Sequence, residues 1–302
     1  VSNRRGQPNE NFAREVMELF TLGVGHYTEQ DIKEAARAFT GWSLDRSSGE
    51  FRFYRLLHDG GAKTVLGRSG DFDGDAVLDI LLAQPQTAEF ISAKLWREFV
   101  SPDPDAREVK RLAQIFREAR YEMKPLLRAL FSSEAFYAPA NRARLIKSPV
   151  DLLVGTLRQF GIEGLDTRLL VFSGRQLNQD LFGPPNVKGW PGGDDWINST
   201  TLLSRKQFME RIFRAEEMPL DRRALRAEMG PGAARAMAGQ AMLANLRFDA
   251  AAFFGAFKGG EEQRRASVER LVLSSPASQK PAASELIEFI RQLVLDPVYQ
   301  LK

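Results

Sequence analysis

The residues best suited to catalysis are two carboxylates near the start of the chain and one histidine–aspartate pair. Glu15 and Glu18 stand three residues apart, so a helix places them on one face. His58 is followed directly by Asp59, and a histidine beside a carboxylate is a common acid–base arrangement. The plainer interpretation makes Asp59 a turn residue beside an ordinary histidine, because no nucleophile stands at a recognisable elbow. The catalytic candidates of a hydrolase or metal-assisted enzyme are therefore Glu15, Glu18, His58 and Asp59.

Metal and cofactor chemistry is only weakly indicated. The chain has no cysteine, which excludes disulfides, thiolate metal sites and cysteine nucleophiles. A zinc site would need His58 together with Glu15 and Glu18, and we predict no metal site. Residues 71–75 resemble part of a calcium loop, but Leu82 occupies the place of the final glutamate, so this segment is predicted to cap a helix. Since neither a dinucleotide loop nor a phosphate-binding loop is recognisable, the cofactor is left open.

The opening segment, residues 9–23, is predicted to be an amphipathic helix that carries a polar site. Capping and ion pairing explain most of its polar residues, but not Asn11 and Glu15, which border the apolar stripe. We favour structural ion pairing for these residues, and the alternative is a ligand, substrate or metal site. In either case we expect the asparagines and glutamates near residue 10 to point inward. The stripe that predicts the buried face consists of Phe12, Val16, Leu19, Phe20 and Gly23.

A second candidate site is the tryptophan loop, residues 183–198, which is rich in glycine and proline. This composition forbids a helix, and its apolar side chains predict an ordered, packed loop. Tryptophans are more often core anchors, but Trp190 and Trp196, close to Asp195, also suit surface recognition. We expect this loop, the opening helix and the hairpin described next to share one site. The ligand-binding candidates are Asn11, Arg14, Lys63, Trp190, Asp195 and Trp196.

Helical periodicity dominates the rest of the chain and predicts an all-α fold. The exception is residues 51–67, where aromatic, partly alternating residues around Asp59-Gly60-Gly61 predict one small β-hairpin with its turn there. Residues 1–215 are predicted to form the main helical domain, with residues 216–302 as a C-terminal helical extension packed on it. The predicted helices include Gly74–Ala83, Pro85–Val100, Ala106–Ala119, Lys124–Phe131, Pro149–Phe160, two short helices within Thr167–Phe182, and Ser199–Ala215.

Composition and charge narrow the functional classes. Hydrophobic residues make up 43% of the chain and charged residues 27%, which is typical of a globular protein with a full core. The net charge of +3 is not concentrated in a stripe or tail, so no nucleic-acid partner is expected. The longest apolar run, residues 236–246, is too short to span a bilayer. Because the chain begins with Val1 rather than methionine, we expect a fragment or a processed product.

Five segments are informative in combination, by their order and spacing: residues 9–25, His58-Asp59 with Lys63 and Gly67, Lys94-Leu95-Trp96, Lys147-Ser148-Pro149 and residues 183–196. Together they resemble the bacterial family catalogued as domain of unknown function 1800. The resemblance implies a mostly helical protein that is exported to the periplasm or cell envelope, with no established activity and no agreed catalytic residues. Genes of the family often neighbour those of another exported family, so the expected partner is an exported protein of the same operon. The resemblance covers about residues 9–214.

Two functions stay open at this point. The first is a binding or assembly module of the cell envelope, with the tryptophan loop and the opening helix as its recognition surface. It predicts that Trp190 or Trp196 exposes part of its ring. The second is a hydrolase or metal-assisted enzyme, which predicts that Glu15 and His58 approach each other in a pocket. We favour the binding module, because no nucleophile–base or metal-ligand spacing stands out.

Overall fold

The computed structural model describes residues 3–214 and 241–302 and divides the chain into two compact units. Unit 1 comprises residues 1–138 and unit 2 residues 139–302. The predicted domain boundary near residue 215 falls at the edge of residues 215–240, outside the described ranges, and stays a prediction. The predicted all-α class is confirmed: helices predominate, and the described residues contain two small two-stranded sheets. None of the described helices is long and apolar enough to cross a bilayer.

Unit 1 is a helical body that carries two short hairpins. Its helices pack around two buried clusters, one centred on Met17 and Phe39 and the other on Trp96. In chain order its elements are α1 (Glu10–Glu15), a π-helical turn (Val16–Thr21), α2 (Glu29–Ala38), β1 (Trp42–Leu44), β2 (Phe51–Phe53), β3 (Lys63–Val65), β4 (Arg68–Gly70), α3 (Gly74–Ala83), α4 (Pro85–Phe99), α5 (Ala106–Glu118), α6 (Met123–Phe131) and α7 (Glu134–Tyr137).

The opening helix buries a different face from the predicted one. Ala13 and Met17 are fully buried, whereas Phe20 of the predicted stripe is 59% exposed. For Phe20 the difference follows a change of helix type at Val16, where the chain turns into a π-helix whose Leu22 amide reaches back five residues to the Met17 carbonyl. The wider turn rotates the following side chains away from the positions that an α-helical spacing assigns to them.

The strands also pair differently from the prediction. Residues 51–53 and 63–65 are strands, but β2 pairs with β1, and β3 pairs with β4. The turn of the second hairpin lies at Leu66 and Gly67, both of which have positive φ, as a tight two-residue hairpin turn requires. The Asp59–Gly61 segment is not a hairpin turn, because Asp59 and the carbonyl of Ala62 both bind Arg37 of α2.

Unit 2 is helical and contains the tryptophan loop. Of the two short helices predicted within 167–182 only the first forms, because Asn178 and Phe182 adopt positive φ and turn the chain. Residues 216–240 of the predicted C-terminal extension lie outside the described residues. The elements of unit 2 are α8 (Pro149–Phe160), α9 (Thr167–Gln176), a 3-10 turn (Gly193–Trp196), α10 (Ser199–Phe213), α11 (Ala250–Gly255), α12 (Glu261–Val272), α13 (Leu286–Leu295) and a second 3-10 turn (Pro297–Gln300).

Candidate functional site

Asp59, one of the catalytic candidates, is held by Arg37 in a two-pronged ion pair. Arg37 Nε lies 2.9 Å from Asp59 Oδ2, and Arg37 Nη2 lies 3.2 Å from Asp59 Oδ1. These charge-assisted hydrogen bonds lower the pKa of Asp59 from 3.8 to about 2, although partial burial opposes the shift. Arg37 also binds Glu34 at 2.9 Å, so Asp59 belongs to a network that ties residues 59–62 to α2.

His58, the other half of the predicted pair, turns its ring toward α2 and not toward Asp59. Its Nδ1 lies 2.9 Å from the carbonyl oxygen of Thr40, which assigns the proton to Nδ1. The hydroxyl of the same threonine accepts the Asp59 amide at 2.8 Å. Phe53 packs edge-on to the imidazole, with ring centroids 5.5 Å apart. Adjacent residues in an extended turn point in different directions, so proximity in sequence does not produce an acid–base dyad here.

The polar residues of the opening helix are partly exposed and engaged with near neighbours. Asn11 is exposed, contrary to the inward orientation we predicted. Arg14 forms a bidentate pair with Glu29, with N–O distances of 2.8 and 2.6 Å. Glu18 accepts a hydrogen bond of 2.9 Å from the Tyr27 hydroxyl, whose pKa is raised by burial and by that carboxylate. Glu15 is half-buried.

Lys63 is buried and structural in its contacts. Its Nζ donates to the carbonyl of Gly61 at 2.9 Å and lies 3.3 Å from Asp71 Oδ1. The same stretch 71–75 supplies the N-cap of α3, as predicted, because the Asp73 side chain accepts from the Ala76 amide. Over the described residues, no group of three or more histidine, aspartate or glutamate side chains is arranged to hold a metal ion.

A feature of unit 1 that sequence reasoning missed is the apolar face of the β1–β2 hairpin. Trp42 lies opposite Phe53, and Leu44 lies opposite Phe51, so all four side chains point to one face of the hairpin. Leu44 and Phe51 are each 61% exposed, and Phe53 is 41% exposed. The alternation of Phe51, Arg52 and Phe53 is visible in the sequence, but the partner strand that completes the apolar face is not.

The outer edge of β2 carries unpaired backbone groups. The backbone amide of Asp45 donates to the Glu50 carbonyl, and the amide of Tyr54 donates to the Gly41 carbonyl, each at 2.8 Å. Every second pair of facing residues is therefore hydrogen-bonded across the hairpin. By this alternation the N–H and C=O groups of Phe51 and Phe53 point away from β1. No partner for these four groups is found within residues 3–214 and 241–302. One edge therefore offers both apolar side chains and free hydrogen-bonding groups.

In unit 2 the tryptophan loop is less packed than predicted, because residues 183–188 are exposed and Val187 is 62% exposed, and its two tryptophans differ in exposure. Trp196 is only 5% exposed, and its carbonyl accepts from the Thr201 hydroxyl at 3.0 Å. Trp190 is half-buried and Asp195 is exposed. Trp196 is therefore a core anchor, whereas Trp190 keeps partial solvent access as a residue, and recognition by its ring stays a prediction.

The loop borders a pocket of about 440 Å³ whose wall is mostly apolar. Two residues of the loop, Asp194 and Ile197, line this pocket. The candidates Trp190, Asp195 and Trp196 do not line it. The remaining wall comes from α10, the second 3-10 turn and the residues next to it: Ile146, Leu202, Lys206, Pro297, Gln300 and Leu301. The tryptophan-loop candidates belong to unit 2 and the other site candidates to unit 1, so the single shared site stays a prediction.

Comparison with known proteins identifies the family and nothing closer. No match to the chain was found among curated proteins or among solved structures. The family model described as a protein of unknown function, DUF1800, matches residues 1–280 of the 302 residues. This range includes both the hairpin of unit 1 and the tryptophan loop of unit 2. The chain therefore belongs to the DUF1800 family of proteins of unknown function.

Proposed function

We propose that this protein is a binding or assembly module of the bacterial cell envelope that captures an extended segment of a partner protein on the β1–β2 hairpin. The partner segment adds a strand to the open edge of β2. The location and the kind of partner, an exported protein of the same operon, follow from the family resemblance. The observation that carries the proposal is that Phe51 and Phe53 combine exposed apolar side chains with unpaired backbone groups.

The side chains favour a partner with alternating apolar residues. A strand alongside β2 would direct every second side chain to the face on which Leu44, Phe51 and Phe53 lie. Complete burial of a phenylalanine side chain contributes about 1.5–3 kcal/mol, so covering the exposed part of Phe51 contributes about 1–2 kcal/mol. Apolar patches of this kind on a protein surface commonly mark interaction sites.

The backbone favours strand addition over docking of a preformed helix. An open strand edge is a template for pairing with another chain, and proteins without a use for it usually protect it. The neighbouring residues give β2 little such protection: Arg52 points to the opposite face, where it pairs with Asp45 at 3.0 Å. A helix would cover the apolar face but would leave the amides and carbonyls of Phe51 and Phe53 unpaired.

A labelled peptide of alternating valine and threonine is a suitable probe, with binding measured by fluorescence anisotropy on the full chain. Phe51→Asp places a charge in the proposed contact and should weaken binding by about tenfold or more, which corresponds to about 1.4 kcal/mol. Arg52→Ser, on the opposite face of the same strand, is the matched control and should bind within about twofold of the unchanged protein.

Two further measurements decide between strand addition and other modes of binding. The same peptide N-methylated at alternate amides should lose binding, because it cannot donate hydrogen bonds to the edge of β2. Equal binding of both peptides would refute strand addition. If sedimentation shows instead that the chain self-associates and that Phe51→Asp abolishes this, the occupant is a second copy and the partner proposal fails.

The enzyme alternative has one observation in its favour, the state of His58. With its Nδ1 proton bound to the Thr40 carbonyl, the imidazole presents Nε2 as a base. A hydrolase that used this base would release product from a panel of chromogenic esters and phosphate esters, and His58→Asn would abolish that activity. Activity that survives in His58→Asn would remove this alternative.

A further inference from the structure

Arg205 of α10 is a fully buried cation, and three of its five N–H donors have no partner among the described residues. Its Nη1 donates to the carbonyl of Lys147 at 3.0 Å and to Gln300 Oε1 at 3.2 Å. Its Nε and Nη2 are buried and have no hydrogen-bond partner within residues 3–214 and 241–302. Buried polar groups are nearly always hydrogen-bonded, and an unsatisfied charged group carries a larger penalty than a neutral one. This arrangement therefore calls for an explanation.

The surroundings of Arg205 carry more positive than negative charge. The Lys147 ammonium lies 3.6 Å from the centre of the Tyr299 ring. The nearby Asp151 is already engaged, because it pairs with Lys302 at 2.7 Å and caps its own helix at Ser148. Burial lowers the pKa of Lys147 to about 8, with repulsion from Arg205 adding to the effect, and it lowers the pKa of Arg205 to about 10.

We propose that Arg205 and Lys147 form a binding site for the carboxylate of a ligand with an apolar body. The unused Nε and Nη2 groups form one edge of the guanidinium, and their two parallel N–H bonds match the two oxygens of a carboxylate. Lys147 supplies a second positive charge, close enough to Arg205 for the two cations to repel each other. A carboxylate bound there would satisfy both orphaned donors and offset the local excess of cations.

The pocket of about 440 Å³ beside the tryptophan loop would hold the apolar body of the ligand. Gln300 lines this pocket and also accepts from Arg205, and the pocket residues Leu202 and Lys206 flank Arg205 on α10. Because the guanidinium is closed off from solvent, the side chains between it and the pocket, Gln300 among them, would have to move before a carboxylate reaches the Nε–Nη2 edge. A pocket of this size accommodates a small organic acid or the C-terminal residue of a peptide.

Titration calorimetry on the full chain tests the site with two pairs of probes. Benzoate is compared with benzamide, and N-acetyl-leucyl-leucine is compared with its C-terminal amide; each neutral compound matches its acid in shape. At least one acid should bind. Its neutral counterpart should bind at least about tenfold more weakly, or show no binding. Binding of benzoate alone indicates a small acid, and binding of the peptide acid alone indicates a chain terminus; either result supports the carboxylate site.

Variants connect the binding to the two cations. Lys147→Gln should weaken binding of the acid by about tenfold, and Arg205→Lys, which keeps the charge but removes the two-pronged edge, should weaken it by at least as much. Arg211→Gln, an exposed arginine on the same helix, is the control and should change little. If Arg205→Lys does not fold, the Arg205 Nε–H resonance of the unchanged protein replaces it, because that resonance should shift when the acid is added.

Three results would overturn the proposal. Equal binding of an acid and its amide would make the pocket a purely apolar one. Absence of binding by both acids would leave Arg205 as a structural residue whose free donors are met by buried water. Unchanged affinity in Lys147→Gln, together with an unmoved Arg205 resonance, would place the carboxylate elsewhere. Since the site lies wholly in unit 2, none of these results bears on peptide capture by the hairpin.

Discussion

Replacing Asp59 by asparagine tests whether the histidine–aspartate turn is a structural element. Arg37 binds both carboxylate oxygens of Asp59 and lowers its pKa from 3.8 to about 2. At 1.36 kcal/mol per pKa unit, a lowering of this size corresponds to about 2 kcal/mol. The two side chains are 29% and 21% exposed, so solvent screening reduces the expected loss in Asp59→Asn to about 1–1.5 kcal/mol at neutral pH.

The stabilisation by the Arg37–Asp59 ion pair depends on pH. Because the folded-state pKa of Asp59 lies below its value in the unfolded chain, the stabilisation is fully present above about pH 4. It is lost as the pH falls from there toward 2, since both states then bind the proton. The unchanged protein should therefore be more stable than Asp59→Asn at pH 7, and the difference should shrink toward zero near pH 2.

Hydrogen–deuterium exchange is the appropriate assay, because it reports on the segment 58–66 separately from unit 2. The opening free energy of this segment should fall by the stated amount, while that of α12 stays constant as an internal reference. Asp79→Asn, an exposed aspartate on α3, is the matched control. Two results would refute the structural role of Asp59. One is a difference in opening free energy between the unchanged protein and Asp59→Asn that stays the same from pH 7 to pH 2. The other is the same opening free energy in both proteins at every pH.

Three further predictions concern local geometry and charge. Gly41 has φ +88°, and a Cβ there would stand 2.8 Å from the Tyr54 carbonyl oxygen. Gly41→Ala should therefore lower the free energy of unfolding of unit 1 by about 2 kcal/mol, measured by urea titration. An unchanged unfolding midpoint would contradict this prediction. Thr28→Val removes the capping box of α2 and should cost about 1 kcal/mol, whereas Thr28→Ser should retain most of it. Lys147 has a folded-state pKa of about 8, below its ordinary 10.5, so the unfolded chain binds more protons between pH 8 and 10. Stability should therefore rise with pH across that range in the unchanged protein and not in Lys147→Met, and parallel pH profiles would show that Lys147 is not desolvated.

Helix boundaries could be predicted from the sequence because short-range chemistry sets them. The helix at Gly74–Ala83 begins after Asp73, whose side chain caps it, and ends before Pro85. The capping box of Thr28 and Asp31 and that of Ser148 and Asp151 involve side chains only three residues apart. Such interactions form within one helical turn, so the sequence shows them without knowledge of the fold.

The sites depended on contacts between distant residues and were predicted less well. Arg205 and Lys147 are 58 residues apart, and the Arg37–Asp59 pair joins a helix to a turn 22 residues later. The adjacency of His58 and Asp59 suggested an acid–base pair, but Thr40 and Arg37 orient the two side chains separately. No local pattern reveals which arginine will be buried with some of its N–H donors unpaired among the described residues.

By itself the sequence determined the helical class, most helix limits, their caps and the family, because composition, spacing and proline placement act over a few residues. The tertiary structure alone decided which strands pair, which face of the opening helix is buried and where donors remain unpaired. A π-helical turn at Val16 and an open edge at β2 arise from packing and pairing partners that lie elsewhere in the chain. Their energies depend on the whole fold, and a linear pattern therefore does not contain them.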